Sequence, residues 1–126
     1  MLARRRATAT IPASDLVRAK RWYEEKLGLK PASDAPYGVE YVVGDGTRFI
    51  LYPTANAGQA PNTLMGFSSD DVPADVAALR ARGVRFEDYD MPGLKTVDGV
   101  ASIGDIHAAW FKDSEGNILA ITEQPA

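Results

Sequence analysis

His107 is the only histidine in the sequence, and an imidazole is the side chain that most often serves as a general base. It precedes Trp110 on an apolar stretch that is predicted to form a strand. Side chains alternate between the two faces of a strand, so His107 shares a face with Ala109 and Phe111, opposite Trp110. Two roles stay open for His107, a catalytic base or an ordinary residue of the strand. A Trp110 that faces a cleft favours the second role.

Glu40 is the second candidate base. In one hairpin register it stands opposite Leu51 and points into the predicted cleft, where burial would suit a carboxylate to proton transfer. The other register turns Glu40 outward, and the sequence does not choose between the two. Further candidate carboxylates are Glu87, Asp88 and Asp90.

Motifs for nucleophilic catalysis and phosphate binding are weak or missing. Ser102, Asp105 and His107 could compose a catalytic triad, but they occupy neighbouring positions of one predicted strand and lack a nucleophile elbow. The sequence has no cysteine, which excludes disulfides, thiolate metal sites and a cysteine nucleophile. Gly44 and Gly46 lie in a predicted hairpin rather than before a helix, so they are not a nucleotide-binding loop.

The composition is that of an ordinary globular domain. The chain has 126 residues, of which 45% are hydrophobic and 25% charged, and this size suits a single domain with a substantial core. A net charge of −3 disfavours nucleic acid or an acidic membrane as a partner, and Arg4–Arg6 is interpreted as a solvated tail. The N-terminus has no apolar secretion signal and no run is long enough to span a membrane, so a cytoplasmic location is expected.

The first half of the chain is interpreted as strand–helix–strand–strand–strand. Residues 7–12 suit a strand, and Asp15 is a natural N-cap for a helix that ends at Gly28. Residues 37–43 and 47–52 alternate like strands, and the Gly-Asp-Gly sequence between them is a strong hairpin signal.

The second half repeats this pattern at an offset of 55 residues, which places Asp15 on Asp70 and Gly28 on Gly83. Strands are predicted over residues 64–68, 84–88, 104–112 and 118–122. The last two form a hairpin, because Asp113, Gly116 and Asn117 between them favour a tight turn.

These elements predict an α+β fold of one domain over residues 1–126. A first βαβββ module spans about residues 7–53, a linker 54–62, and a second βαβββ module about 63–123. Each module alone would leave one face of its sheet bare, so the two are expected to form a curved mixed sheet around a cleft. The loop over residues 89–99 is interpreted either as a lid over this cleft or as a structural excursion packed on the sheet edge.

Two motifs connect the sequence with a known superfamily. Residues 15–28, with Asp-Leu first, Trp-Tyr inside and Leu-Gly last, and residues 113–119, Asp-Ser-Glu-Gly-Asn-Ile-Leu, resemble the vicinal oxygen chelate superfamily. That superfamily includes glyoxalase I, extradiol dioxygenases, fosfomycin-resistance enzymes and bleomycin-resistance proteins. Ser114 and Glu115 depart from the usual Asp-Pro-Asp-Gly-Asn turn in ways that the turn should tolerate. The resemblance covers about residues 7–123 and implies the fold more specifically than the reaction.

In metal-dependent members of this superfamily, four strands supply histidine and glutamate ligands. The resemblance places those ligand positions on Thr8, Leu51, Leu64 and Ala120. A divalent ion needs lone pairs on oxygen, nitrogen or sulfur, and leucine and alanine side chains have none. The sequence therefore predicts no metal site and no cofactor.

The same positions predict a largely apolar pocket. It is expected to be lined by Phe49, Leu51, Leu64, Trp110 and Ala120, with Thr8 and Thr122 as nearby hydroxyl groups. Side chains expected to face the helices as core are Trp22, Tyr23, Ile50, Met65 and Phe67.

The resulting hypothesis is a metal-independent small-molecule binding protein that sequesters a hydrophobic or aromatic compound, as bleomycin-resistance proteins do. The resemblance also implies a homodimer. The alternative is an enzyme of the same fold, such as a lyase, isomerase or dioxygenase, that uses Glu40 or His107 as base or a relocated divalent metal. A third hypothesis is a structural or regulatory protein whose cleft is packed shut.

Overall fold

Each half of the chain forms a sheet whose first strand pairs in parallel with its last, because a helix crosses over between them. The computed structural model describes residues 1–124, so the predicted domain of residues 1–126 extends two residues beyond the described part. The first sheet contains β1 (Ala9–Ala13), β2 (Ser33–Ala35), β3 (Gly38–Val42) and β4 (Arg48–Pro53), with α1 (Leu16–Leu27) between β1 and β2. The strand order is β1-β4-β3-β2.

The second sheet has six strands in the order β5-β10-β9-β8-β7-β6. Its elements are β5 (Thr63–Ser69), α2 (Val72–Ala81), β6 (Asp90–Met91), β7 (Leu94–Val97), β8 (Val100–Ile103), β9 (Ile106–Lys112) and β10 (Ile118–Glu123). The α+β prediction is confirmed. No helix in residues 1–124 is long and apolar enough to cross a membrane.

The ends of α1 are those that the sequence predicts. The Asp15 carboxylate accepts a hydrogen bond from the Arg18 backbone N–H at 3.0 Å. Gly28 follows the last helical residue with φ +70°, a left-handed conformation that glycine adopts without steric cost.

The start of α2 differs from the prediction. Asp71, not Asp70, is the N-cap, and its carboxylate accepts from the Ala74 backbone N–H at 3.1 Å. The strand β5 runs through Ser69, and Val72, the first helical residue, is completely buried in the core. Burial of Val72 fixes the rotation of the helix and moves the cap one residue beyond the position that the repeat indicates.

The predicted strand over residues 84–88 is wrong. Only an isolated bridge between Phe86 and Phe111 forms there. The Asp88 carboxylate accepts from the Thr96 hydroxyl at 2.7 Å and from the Gly99 N–H at 2.8 Å, and these side-chain bonds turn the chain away from a ladder.

Residues 89–99 are not a long lid loop. They contain β6 and β7, a short hairpin at the sheet edge that turns at Gly93 with φ +81°. The predicted strand over 104–112 begins two residues later in the structure, because residues 104 and 105 form the turn between β8, which ends at Ile103, and β9, which begins at Ile106.

One hydrophobic core joins both halves and lies between the sheets and the two helices. Its buried side chains include Tyr23 of α1 and, from the strands, Ile11, Val39, Tyr41, Phe49, Leu51, Phe111, Leu119 and Ile121. Trp22 of α1 stacks against Phe111 of β9 at 6.2 Å between ring centroids, so α1 contacts both sheets.

Candidate functional site

The faces of the sheets that point away from the helices carry the candidate site, and we call them the open face. Paired residues of neighbouring strands lie on one face, so the registers identify its members. In the first sheet the register pairs Glu40 with Ile50 and Pro12 with Tyr52, and in the second it pairs Ala120 with both Trp110 and Gly66. The open face includes Glu40, Arg48, Ile50, Tyr52, Gly66, Ser68, Tyr89, Trp110, Ala120 and Thr122.

An aromatic pair stands on the open face of the second sheet. The rings of Tyr89 and Trp110 meet edge to face with centroids 5.6 Å apart, and both side chains are partly exposed. Tyr89 is held by two bonds to Thr96, from its own N–H to the Thr96 hydroxyl and from the Thr96 N–H to its carbonyl, both 2.8 Å. Burial, with a smaller contribution from Glu87, raises the pKa of Tyr89, so its hydroxyl keeps its proton at neutral pH and can donate.

Small residues lie beside this pair. Ala120 is opposite Trp110 in the β9–β10 ladder, and Gly66 is opposite Ala120 in the β5–β10 ladder. Thr122 and Ser68 follow on the same face and add hydroxyl groups. The arrangement gives a flat apolar floor with an aromatic wall and two polar groups, which suits a planar ligand.

A cavity of about 420 Å³ lies along the seam between β1 and β5, the end strands of the two sheets. It brings Arg48 of the first sheet together with Gly66 and Ser68 of the second sheet. Phe49, Met65 and Phe67 line it from the helix side, so the seam between the two sheets is a concave region to which both halves of the chain contribute.

Glu40 lies on the open face, but for a different reason from the one predicted. It stands opposite Ile50, while Leu51 stands opposite Val39 on the helix side. Its carboxylate accepts from the Arg48 guanidinium at 2.9 Å, with the two side chains 29% and 34% exposed. An ion pair of this kind engages the lone pairs that a free general base would need.

His107 lies on the helix side of β9, opposite in direction to Trp110. Its backbone N–H and ring Nδ1 both lie 2.9 Å from Oε1 of Glu123, and Oε2 of Glu123 accepts from the Val72 N–H at 2.9 Å. The hydrogen bond from the Val72 N–H makes the largest contribution to the pKa of Glu123 and lowers it. Partial desolvation acts in the opposite direction, but the bonds from His107 also lower the pKa, which stays below its usual value. The imidazole thus belongs to a contact that anchors the start of α2.

The other two members of the hypothetical triad lie close by in the chain. Ser102 pairs with His107 across the β8–β9 ladder, and Asp105 is exposed in the turn between β8 and β9.

The residues at the superfamily's ligand positions do not fit a metal ion. Thr8 is exposed before β1, Leu51 is fully buried in the core, Leu64 is half-buried and Ala120 is 6% exposed. Within residues 1–124, no cluster of three or more His, Cys, Asp or Glu side chains could hold a metal. We derive no chemistry through a metal at this site.

Two of the predicted lining residues are corrected by the structure. Phe49 and Leu51 are 1% and 0% exposed and belong to the core against the helices, although Phe49 also borders the seam cavity. Ile50, predicted as core, is on the open face instead. The run Arg-Phe-Ile-Leu-Tyr in β4 is apolar on both faces, so its composition alone did not indicate which parity points inward.

Sequence reasoning missed Arg48, Tyr52 and Tyr89 as open-face residues. Arg48 and Tyr52 lie at the two ends of the open side of β4, but Ile50 between them is as apolar as Phe49 and Leu51, so the strand carried no clear alternation. Tyr89 carried no signal either, because its position depends on the unpredicted β6–β7 hairpin.

Comparisons with known proteins agree with this architecture. The sequence matches the family described as Glyoxalase/Bleomycin resistance protein/Dioxygenase superfamily over residues 5–121. Similar solved structures include UcmS2, with 19% identity and a TM-score of 0.75 over 94% of this chain and 96% of that chain. TnmS3, an antibiotic binding protein from Streptomyces sp. CB03234, has 24% identity and a TM-score of 0.66 over 94% and 93%.

A genomically encoded fosfomycin resistance protein, FosX from Listeria monocytogenes, has 11% identity and a TM-score of 0.67 over 95% of this chain and 93% of that chain. At these identities the likenesses show the fold. A comparison with functionally curated proteins gives no significant match.

Proposed function

This chain belongs to the glyoxalase/bleomycin resistance protein/dioxygenase superfamily, and from that premise we propose that it is a metal-independent protein that binds a hydrophobic or aromatic small molecule. The ligand lies on the open face against the Tyr89–Trp110 pair and is sequestered rather than converted. The observation that carries this proposal is the partly exposed aromatic pair beside the small residues Gly66 and Ala120.

The chemistry of the open face supports binding by burial and stacking. Aromatic rings offer a large contact area at low conformational cost, and edge-to-face geometry leaves the face of one ring for a ligand. Ser68 and Thr122 supply hydrogen-bonding groups that would orient the ligand. The open-face charges Glu40 and Arg48 neutralise one another, so the face favours a ligand without net charge.

The similarity to TnmS3, whose name describes an antibiotic binding protein, supports antibiotics as the first compounds to test. We would titrate the protein calorimetrically with a panel of planar aromatic natural products. For a compound that binds, Trp110→Ala is expected to weaken the affinity at least tenfold, about 1.4 kcal/mol. Tyr37→Ala, which removes an 83% exposed aromatic ring in the β2–β3 turn, is the matched control and should bind like the wild type.

A panel without any binder, or equal affinities for the Trp110→Ala variant and the wild type, would refute the proposal. Stoichiometric nickel, zinc, iron or manganese in the purified protein would refute its metal-independent part.

An enzyme is the second candidate, and the observation that favours it is the position of Glu40 on the open face. If Glu40 acts as base, Glu40→Gln abolishes turnover of a bound compound and leaves its affinity within about threefold. If the protein only sequesters its ligand, the bound compound is recovered unchanged from both proteins.

We also propose a homodimer, from the resemblance alone. Sedimentation equilibrium tests it by measuring the molar mass in solution against the 13.6 kDa of one chain.

A further inference from the structure

A second cavity, of about 390 Å³, lies on the helix side of the sheets, where α2 passes the C-terminal end of α1, and it meets the seam cavity at Val43, Phe67 and Ser68. We call it the junction cavity, and its apolar walls include Leu27, Leu29, Val43, Phe67, Leu79 and Phe111. Leu27 and Leu29 come from the first half of the chain, and Phe67, Leu79 and Phe111 come from the second. The cavity is thus a gap in the packing between the two halves rather than a flaw within one sheet.

The depth of the junction cavity is set by fully buried side chains. Phe111 and Ile121 are 1% and 4% exposed and form its floor, while Leu27, Leu29, Val43, Phe67 and Leu79 stay only partly buried around it. A molecule that fills the cavity would cover this apolar area and remove it from water, which favours binding.

The charged groups at the rim already have partners. The Arg82 guanidinium donates to the carbonyls of Glu25 at 3.2 Å and Glu24 at 3.3 Å, at the negative end of the α1 dipole. The Asp75 carboxylate accepts from the Ser69 hydroxyl. A charged ligand would have to compete with these bonds or lose hydration without compensation, so the rim selects against charge.

From this lining we infer that the junction cavity binds a small uncharged apolar molecule, across the second sheet from the Tyr89–Trp110 pair. Its volume lies within the range of small-molecule pockets, about 300–1,000 Å³, and suits a compact molecule of two or three rings. Trp110 and Tyr89 lie on the other side of the second sheet, so this inference does not depend on the proposed function.

The test uses N-phenyl-1-naphthylamine, an uncharged apolar probe whose fluorescence rises when it leaves water. Ala78 lies on the exposed rim of the cavity and Ala77, its neighbour on α2, is equally exposed but does not line it. Ala78→Phe should fill the mouth and weaken probe binding at least tenfold, while Ala77→Phe, the matched control, should bind like the wild type. Ala78→Glu and Ala77→Glu repeat the comparison with a charge instead of bulk, and circular dichroism verifies that all four variants fold.

Trp110→Ala separates the two sites. The inference predicts that this variant binds the probe as the wild type does. Absence of probe binding to the wild type, equal binding by the Ala78 and Ala77 variants, or loss of binding in Trp110→Ala alone would overturn the inference. None of these results would by itself refute ligand binding on the open face, which is measured with a different panel.

Discussion

Glu115 shows how much of this fold depends on a single carboxylate. Its side chain is fully buried and accepts from the Asp15 N–H at 2.9 Å, the Ser14 hydroxyl at 3.1 Å and the Ser114 hydroxyl at 2.8 Å. The Arg18 guanidinium donates to both of its oxygens, at 2.9 and 3.0 Å. The turn before β10 is thereby fixed to the start of α1, where the helix dipole also favours a negative charge. Glu115, one of the two residues that depart from the superfamily's usual turn, is thus one of the links between the two halves.

Replacing Glu115 by alanine should therefore be costly. We expect Glu115→Ala to lower the free energy of unfolding by about 2 kcal/mol, because the Asp15 N–H and the serine hydroxyls lose a charged acceptor. Urea denaturation measures the change. The control is Glu25→Ala, which removes an exposed carboxylate from α1. Its free energy of unfolding should stay within about 0.5 kcal/mol of the wild type. A similar small loss in both variants would contradict the role assigned to Glu115.

Glu115 should also give the protein a recognisable dependence on pH. Burial opposes ionisation, but the bonds from Arg18, the Asp15 N–H, Ser114 and Ser14 outweigh it and lower the pKa of Glu115 from 4.5 to about 2. A carboxyl with a depressed pKa in the folded state contributes stability above its unfolded pKa and loses that contribution as the pH falls. The difference in unfolding free energy between the wild type and Glu115→Gln should thus shrink as the pH falls from about 4.5 toward 2. Parallel pH curves for the two proteins would show that the ionised form of Glu115 does not stabilise the fold.

At the scale of elements, α2 begins as α1 does, with a glutamate side chain that accepts a hydrogen bond from a backbone N–H at the start of the helix. Oε2 of Glu123, at the end of β10, accepts from the Val72 N–H at 2.9 Å, and the Asp71 carboxylate caps the Ala74 N–H. Each helix begins against a glutamate from one end of the β10 segment, Glu115 before it and Glu123 at its last residue. The strand β10 is therefore the element that orients both helices.

The two neighbouring aspartates at the start of α2 give a matched pair of variants. Asp71→Ala should lower the free energy of unfolding by about 1 kcal/mol, the usual value of an N-cap, while Asp70→Ala should change it little. Thermal and urea denaturation of both variants measure the difference. If Asp70→Ala is the more destabilised variant, the helix starts where the internal repeat predicts and the structural assignment is wrong.

At the scale of the molecule, the two halves share one core rather than two. The Tyr23 hydroxyl of α1 donates to the Asp113 carboxylate of the second half at 2.6 Å, and Phe49 of the first sheet meets Phe67 of the second at 6.3 Å. Burial and then the charge of Asp113 raise the pKa of Tyr23 well above its usual value, so the hydroxyl stays protonated at neutral pH and remains a donor. Neither half can lose its packing without exposing the other.

A shared core predicts a single unfolding transition. Trp22 lies in the first half and stacks on the second, and Trp110 lies in the second half, so Trp110→Phe and Trp22→Phe each leave one tryptophan as probe. In each variant, tryptophan fluorescence and far-ultraviolet circular dichroism should give the same denaturation midpoint. Midpoints that differ between the local and global probes would show that the halves unfold independently.

The sequence by itself determined the duplicated arrangement, the α+β class and the superfamily. These follow from local signals, namely Asp15 and Gly28 at the ends of α1, the Gly-Asp-Gly hairpin and the turn after Asp113, and local signals persist whatever packs around them. The sequence also favoured a cleft-facing Trp110, but residues 108–111 are apolar on both faces of the strand and did not by themselves determine its side.

Only the tertiary structure decided which face of β4 is buried and where α2 begins. Phe49, Ile50 and Leu51 are equally apolar, so their orientation depends on contact with Tyr23 and Tyr41 from other elements. The Asp71 cap likewise follows from the burial of Val72, and the position of Tyr89 follows from pairing with Thr96. In each case the packing or pairing partners belong to other elements of the fold. Their contribution to the free energy of folding is therefore absent from any local sequence pattern.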